Sequence, residues 1–431
     1  MLTTLAAGIF VPLLLILWSG KGPVRRSPWP AIAVLLWYGS GLVRAAAANV
    51  RAPREWDFAC FWLYGHLAAG HQNIYDPAAF ARFASPFATS DEFRLAVLNV
   101  GFPYPPPTIA LFYPLGYATS VPVALAVWYT AQFAALAAAA WILARLFFPA
   151  DGRRAGLLLL AIVAALPATL QTVDNAQTNF IVLLLVALAL RDRDAPGGAV
   201  WEVLALWVKP YAAALLLFDA VCGRRRRLLT ALGAAALSFA GAALLLGPAA
   251  LAAYVHSNPS SREPAFAFTE QVNQSLLALV LRMHAMPRVH VWALGEPLFV
   301  AASLVLASVT AVMCARTTHR SEAGFAVVLL LGLIVYPGTL SSYGVILAIP
   351  FLVLWRNRTA FPGGSATVAA ILFAAVVLQG GVVQRSFAAY VLSWAACLYL
   401  LLVAQPDGHD AMERPKNSLA AATTAAGAGG V

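Results

Sequence analysis

Residues 2–18, LTTLAAGIFVPLLLILW, carry no charge; residues 21–26, KGPVRR, carry three; residues 29–47, WPAIAVLLWYGSGLVRAAA, are again apolar except for Arg44. A helix needs about 20 mostly apolar residues to cross a bilayer, and a short basic run between two such stretches marks a cytoplasmic loop. The alternation continues along the chain. Further apolar stretches lie at 121–147, 228–246, 296–315, 323–338, 343–355, 365–383 and 387–404, separated by basic runs at Arg224–Arg227, Arg316–Arg320 and Arg356–Arg358.

The bulk composition agrees. Of 431 residues 61% are hydrophobic and 11% charged, against roughly 25% charged in soluble domains. A soluble fold of this size could not keep so much apolar surface from water. The net charge of +10 sits in the inter-span runs and forms no aromatic-interleaved basic face, so nucleic acid is set aside. Cys60, Cys222, Cys314 and Cys397 are too far apart in sequence to suggest a zinc site or a disulfide framework. Lysine occurs only at 21, 209 and 416; with the heavy use of arginine and alanine this suits a GC-rich bacterial gene and hence a bacterial inner membrane.

Topology follows from the charges. No cationic residue precedes the first apolar stretch, so it reads as a retained helix with its N-terminus outside rather than a cleaved signal. With residues 21–26 inside, the loop 48–104 is outside, and Arg224–Arg227 inside puts the loop 247–295 outside too. Residues 1–404 then form one all-α polytopic membrane unit of about 10 to 13 transmembrane or half-membrane helices. Residues 405–431 read as a disordered cytoplasmic tail. The loop 48–104 is amphipathic, with short helices expected at 58–70, 77–85 and 89–98 lying at the interface.

Residues 157–170, 180–190, 199–208 and 211–221 are each too short to cross at 1.5 Å per residue. Pro167, the polar run Asp174–Asn179, and Lys209-Pro210 interrupt them. Two helical hairpins turning at Asp174–Asn179 and at Lys209 are one reading; ordinary spans are the other. Broken helices at membrane depth need a protein-lined polar site.

Several residues could carry chemistry. Asp57, between Trp56 and Phe58, is a carboxylate at an interface, which by spacing alone reads first as a cap for the helix that follows and second as a general base. Lys209 is an ionisable group amid apolar sequence, a phosphate ligand by charge or a snorkelling helix-end lysine. The run Asp174–Asn179, including Gln177 and Asn179, could hold a hydroxylated sugar or cap two helix ends. Gln271–Ser275, including Asn273 and Gln274, reads likewise as a ligand loop or a helix start. His256, Arg262 and His284 are anion contacts by type. Arg44, Arg51 and Arg54 flank Asp57 and could meet phosphate or lipid headgroups. No carboxylate cluster accompanies Asp57, so neither metal nor cofactor is expected. No phosphate-binding glycine loop is present.

Asp57-Phe58, Gly70, Ile74-Tyr75-Asp76, Tyr104-Pro105-Pro106, Tyr113-Pro114-Leu115, Trp128, Gln177-Thr178-Asn179, Lys209-Pro210, Asn273-Gln274-Ser275 and the late Tyr336–Tyr343 turn occur in that order. Over about residues 30–360 this set resembles glycosyltransferase family 87, of the C-type membrane glycosyltransferases. The resemblance implies a C-type fold with two large extracytoplasmic loops. It implies an inverting enzyme that moves a hexose, typically mannose, from a polyprenyl-phosphate donor to a lipid-linked or glycan acceptor outside the cytoplasm. In that scheme Asp57 is the base, Lys209 with Arg44 or Arg262 meets the donor phosphate, and Gln177, Asn179, Asn273, Gln274, Tyr104 and Tyr343 contact sugar or acceptor. The family's late motif carries a histidine where Leu340-Ser341-Ser342-Tyr343 stands here. Either Tyr343 takes its part, or this member has changed acceptor or lost activity. The competing class is a lipid or amphiphile transporter or flippase, which predicts polar groups at the midplane and repeated halves.

Overall fold

The computed structural model describes residues 2–20, 27–53, 57–76, 78, 82, 104–257, 271–283, 291–316, 321–380 and 385–403. The expected helices at 77–85 and 89–98 and the tail beyond Gln405 lie outside these residues, as do the basic run 21–26 and residues Arg54, Arg262 and His284.

Among the described residues every regular element is helical. The first three helices are α1 (Leu2–Ser19), α2 (Trp29–Arg51) and α3 (Asp57–Ala69). After α4 (Pro106–Phe112) and a 3-10 turn, Tyr113–Tyr117, come α5 (Val121–Phe147), α6 (Gly152–Ala165), α7 (Pro167–Asp174), α8 (Asn179–Arg191) and α9 (Gly198–Val208). A second 3-10 turn, Pro210–Ala213, leads to α10 (Ala214–Val221), α11 (Arg225–Leu246) and α12 (Pro248–Ser257). The remaining helices are α13 (Leu276–Met283), α14 (Val291–Arg316), α15 (Ser321–Val335), α16 (Ala348–Arg356), α17 (Ser365–Gln379) and α18 (Arg385–Val403), with a 3-10 turn, Ser341–Leu347, ahead of α16.

Among the described residues six helices are long and apolar enough to cross a membrane: α1, α2, α5, α11, α14 from Pro297, and α18. The pair α6–α7, bent by 73°, makes a seventh if taken as one span. The chain is an all-α polytopic membrane protein. The late stretches at 323–338, 343–355 and 365–383 are shorter than expected as spans. Pro337 and Gly338 follow the end of α15 at Val335, and the chain resumes as a 3-10 turn before α16. α17 stops at Gln379.

The breaks in the middle helices have local causes. A residue before proline is driven out of the helical region, and both Leu166 (ψ 131°) and Lys209 (ψ 113°) are extended. Pro167 cannot serve the carbonyl of Val163, which instead accepts from Thr169 Oγ1 at 2.5 Å and from the Leu166 amide at 3.1 Å. The carbonyl of Trp207, beside the second break, accepts from Thr108 Oγ1 of α4 at 2.5 Å. Both of these carbonyls have thus found a donor in the apolar interior.

At the opposite end from these breaks the arginines gather. Arg227, buried, reaches Asp219 at 2.8 Å and Glu202 at 2.5 Å, both also buried. It also donates to the carbonyls of Asp192 and Ala195. Arg224 Nη1 donates to the carbonyl of Arg193 at 2.9 Å, and Glu322 binds both Arg193 at 3.3 Å and Arg356 at 3.1 Å. The bases of α8, α9, α10, α11, α15 and α16 are therefore tied together. A buried charge is tolerated only when paired and hydrogen-bonded, so this network fixes which ends of the helices share one face.

Candidate functional site

The turn between α7 and α8 is a Schellman closure. The amide of Gln177 donates to Thr172 O at 2.9 Å and that of Ala176 to Val173 O at 3.1 Å. Glycine normally occupies the left-handed position of this motif, yet here it is Ala176, at φ +47°. The remaining carbonyls at the end of α7 are held from neighbouring helices. Tyr129 Oη donates to Val173 O at 2.6 Å, and Asn49 Nδ2 donates to Asp174 O at 3.0 Å and to the Tyr129 hydroxyl at 2.8 Å.

This closure presents Gln177 to Lys209. Lys209 is 2% exposed, with its Nζ donating to Gln177 Oε1 at 2.9 Å and to Tyr343 Oη at 2.9 Å. The ammonium also lies 4.3 Å from the centroid of the Tyr343 ring, within cation–π range. Tyr211, one residue beyond Pro210, packs its ring 5.5 Å from that of Tyr343. Three interruptions of helix, after α7, after α9 and before α16, thus converge on one buried ammonium. A lysine here is no snorkelling side chain, since its head is inside the bundle.

The late turn is itself anchored. Asn179 Nδ2 donates to Ser342 O at 3.0 Å, and Tyr390 Oη donates to Leu340 O at 3.1 Å. The segment Val272–Ser275 pairs with it. Gln274 N donates to Thr339 O at 2.6 Å, Ser341 N donates to Val272 O at 3.1 Å, and Asn273 bridges antiparallel to Leu340. Asn273 Nδ2 donates to Pro337 O at 2.8 Å, and Gln274 Nε2 to Gln271 O at 2.5 Å. Asn273 therefore braces the turn that carries Tyr343 through its side chain, and Gln274 braces it through its backbone amide.

On the other flank, α3 sits backbone to backbone on the Tyr113–Tyr117 turn. A Cβ at Gly65 would stand 2.5 Å from Phe112 O, and one at Gly116 would strike Gly65 O. Phe58, next to Asp57, lies with its ring 5.9 Å from that of Trp128, whose Nε1 donates to Ala176 O at 2.9 Å. A continuous path of contacts runs from Phe58 through Trp128 and Ala176 to Gln177 and Lys209. Tyr104 packs tilted against Phe61, ring centroids 5.7 Å apart, and its carbonyl accepts from Tyr75 Oη at 2.9 Å. Tyr75 in turn lies 5.3 Å from Tyr254 of α12, and burial followed by the neighbouring Tyr254 pushes its phenol above the ordinary range.

The structure therefore brings Lys209, Gln177 and Tyr343 into direct contact, with Asn179, Asn273 and Gln274 supporting the same turns. Asp57 is the first residue of α3. Tyr104 belongs to the aromatic layer beneath α3, and Arg44 stands exposed on α2. Sequence reading missed Tyr211, Thr172, Thr108 and Asn49. Asn49 was detectable as an amide inside an otherwise apolar span; the others are ordinary in composition and acquire meaning only through the breaks they serve. Thr178 Oγ1, Asn179 Oδ1 and the Tyr211 hydroxyl are buried without a hydrogen-bond partner among the described residues. Buried polar atoms are almost always paired, so these are free to take a polar ligand. No group of three or more His, Cys, Asp or Glu side chains placed to hold a metal occurs among the described residues.

The family model for glycosyltransferase family 87 matches residues 102–342, more than half of the chain. No curated protein and no solved structure gives a match. The matched stretch holds Tyr104, Gln177, Asn179, Lys209, Asn273 and Gln274. It begins after Arg44 and Asp57 and ends one residue before Tyr343.

Proposed function

Because the chain belongs to glycosyltransferase family 87, and so works on a sugar donor and an acceptor, we propose that its donor is a polyprenyl-phosphate hexose, with mannose the sugar. The acceptor in this reading is a lipid-linked or glycan hydroxyl, and transfer occurs on the extracytoplasmic face of a bacterial inner membrane. The observation that carries the proposal is Lys209, a buried ammonium held by Gln177 and Tyr343 where three helix breaks meet. A donor that lives in the membrane needs its phosphate met at that depth.

The chemistry asks little more of the protein than two charges in the right places. The acceptor oxygen attacks the anomeric carbon from the face opposite the phosphate, the carbon–oxygen bond to phosphate breaks, and the configuration inverts. Asp57 takes the proton from the acceptor hydroxyl, and the electron pair leaves on polyprenyl phosphate. Phosphate is a good leaving group, so fixed positive charge at Lys209 matters more than acid assistance. Arg262 of the second loop and Arg44 of α2 are secondary phosphate contacts in this scheme. Gln177, Asn179, Asn273, Gln274, Tyr104 and Tyr343 shape the sugar and acceptor pocket. Thr178, Asn179 and Tyr211, with unpartnered polar atoms, suit sugar hydroxyls.

The test is transfer in membranes or proteoliposomes containing the full chain, supplied either with polyprenyl-phosphate [14C]mannose or with a nucleotide-activated [14C]mannose. Label should pass to an extractable acceptor from the lipid donor alone. Transfer only from the nucleotide sugar, or from neither, overturns the donor assignment while leaving the family membership intact.

A further inference from the structure

At the arginine end of the bundle, α9 and α11 diverge above a floor of Ala199, Val203 and Ala231. They leave an open apolar groove of about 550 Å3 walled by Val200 and Leu204 on one side and Gly233 and Leu237 on the other. Its two hydroxyl-bearing residues present little polarity. Thr230 Oγ1 donates to Arg226 O at 2.9 Å and Ser238 Oγ to Ala234 O at 2.7 Å, both within their own helix. Further along the same two helices Trp207 packs against Phe239, ring centroids 5.2 Å apart. Of all the helices that qualify as spans, α11 is among the least covered, with 11% of its apolar window buried and Leu237 75% exposed. In a membrane this face meets lipid.

The lower mouth of the groove carries charge. Positions 226, 230, 233 and 237 follow at spacings of four, three and four, which is one face of a helix. Arg226 therefore stands one turn below the groove on its own stripe. Arg224 and Arg227 are engaged with Asp194, Asp219 and Glu202, whereas Arg226 is exposed and makes no ion pair among the described residues. An apolar groove with an uncommitted arginine one turn below it is complementary to an anionic lipid.

We propose that the α9–α11 groove is a binding site for an anionic phospholipid, one acyl chain lying against Val200, Leu204, Gly233 and Leu237 and the headgroup phosphate on Arg226. The site lies along the first two turns of α9, away from the end that precedes Lys209, and shares no lining residue with the candidate catalytic cluster. It stands on the membrane architecture and is independent of which sugar donor the enzyme uses. A lipid seated there would brace α9, whose last residue precedes Lys209.

Native mass spectrometry of the full chain in detergent, titrated with palmitoyl-oleoyl-phosphatidylglycerol and separately with the matching phosphatidylcholine, tests this. The parent should retain phosphatidylglycerol in preference. Arg226→Gln should weaken that preference at least about tenfold, while Arg225→Gln, which removes an equal charge one residue off the stripe, should leave it nearly unchanged. Gly233→Leu should displace the chain of either lipid. A Cβ at Gly233 meets nothing within 4 Å, so that variant has room to fold, and its thermal unfolding should match the parent's. Equal loss in the two arginine variants, or parent-like binding in Arg226→Gln and Gly233→Leu together, overturns the site. So does a dimer in the parent that Gly233→Leu dissociates, since the groove would then be filled by a second copy of the chain.

Discussion

The ammonium of Lys209 touches Tyr343 twice, donating to its hydroxyl at 2.9 Å and lying 4.3 Å from its ring centroid. These two contacts can be separated by substitution. Tyr343→Phe removes the hydrogen bond and keeps the ring, so Lys209 stays in place without that bond, and a loss of about 1 kcal/mol in stability is expected. Tyr343→Ala removes both and leaves a cavity, and about 3–5 kcal/mol is expected. Thermal unfolding of the purified variants checks the order.

Lys209→Ala should separate the structural from the functional role of the ammonium. Gln177 Oε1 and the Tyr343 hydroxyl each lose a hydrogen bond from a charged donor, so about 1.5–3 kcal/mol of stability is expected to go with each. If the proposed donor is used, the KM for polyprenyl-phosphate sugar rises about tenfold or more, because a charge-assisted contact is lost. Lys209→Arg, which keeps the charge but not the shape, should recover part of the donor affinity. Donor KM unchanged in the alanine variant would make Lys209 a structural residue.

Ala176 holds a left-handed backbone at φ +47° in the turn that presents Gln177. A residue with a Cβ is strained there by about 1–2 kcal/mol, and strain of this kind clusters at functional sites. Ala176→Gly should raise the unfolding temperature, partly offset by the greater freedom of glycine when unfolded. Ala176→Val should lower it clearly. A fall in stability with glycine would mean that the Ala176 methyl packs better than its backbone geometry suggests.

The membrane architecture was plain in the sequence because long apolar stretches alternate with arginine runs, and six spans emerge close to where they were expected. The helix breaks at Asp174–Asn179 and at Lys209 were also legible, since proline and a polar run have few uses inside an apolar segment. What sequence could not give is the meeting of those breaks. Lys209 and Tyr343 are 134 residues apart, and no periodicity links them. Nor could charge counting separate Arg227, buried between Asp219 and Glu202, from its exposed neighbour Arg226. All four arginines read alike until the helices are placed.

That buried network gives its own test. Arg227→Met leaves Asp219 and Glu202 in the interior without their central partner, and breaking such a pair costs about 3–5 kcal/mol. The variant should be poorly expressed or melt far below the parent. Adding Asp219→Asn and Glu202→Gln to Arg227→Met removes the uncompensated charge and should restore much of the loss. Yields and unfolding temperatures of the single and triple variants decide it. A triple variant no better than the single one would show that shape and hydrogen bonding, not charge, hold this end together.

Asp57 begins α3, and its proposed role as base must be told apart from a role in starting that helix. A helix start uses a side-chain oxygen as acceptor, which asparagine also supplies, so Asp57→Asn should cost at most about 1 kcal/mol of stability. A base must take up a proton, which an amide cannot do, and turnover should fall by about 10²–10⁴. The contrast is sharpened by Gly116→Ala, whose added methyl would strike Gly65 O and shift α3 on its seat. That variant should lose stability by about 1–3 kcal/mol and lose activity with it, because Asp57 moves with the helix. Asp57→Asn should lose activity alone. Stability and turnover measured side by side on both variants distinguish the cases. A well-folded Asp57→Asn enzyme working near the parent rate would remove Asp57 as the base, and the search for one would pass to Asp174 or to Glu270 of the second loop.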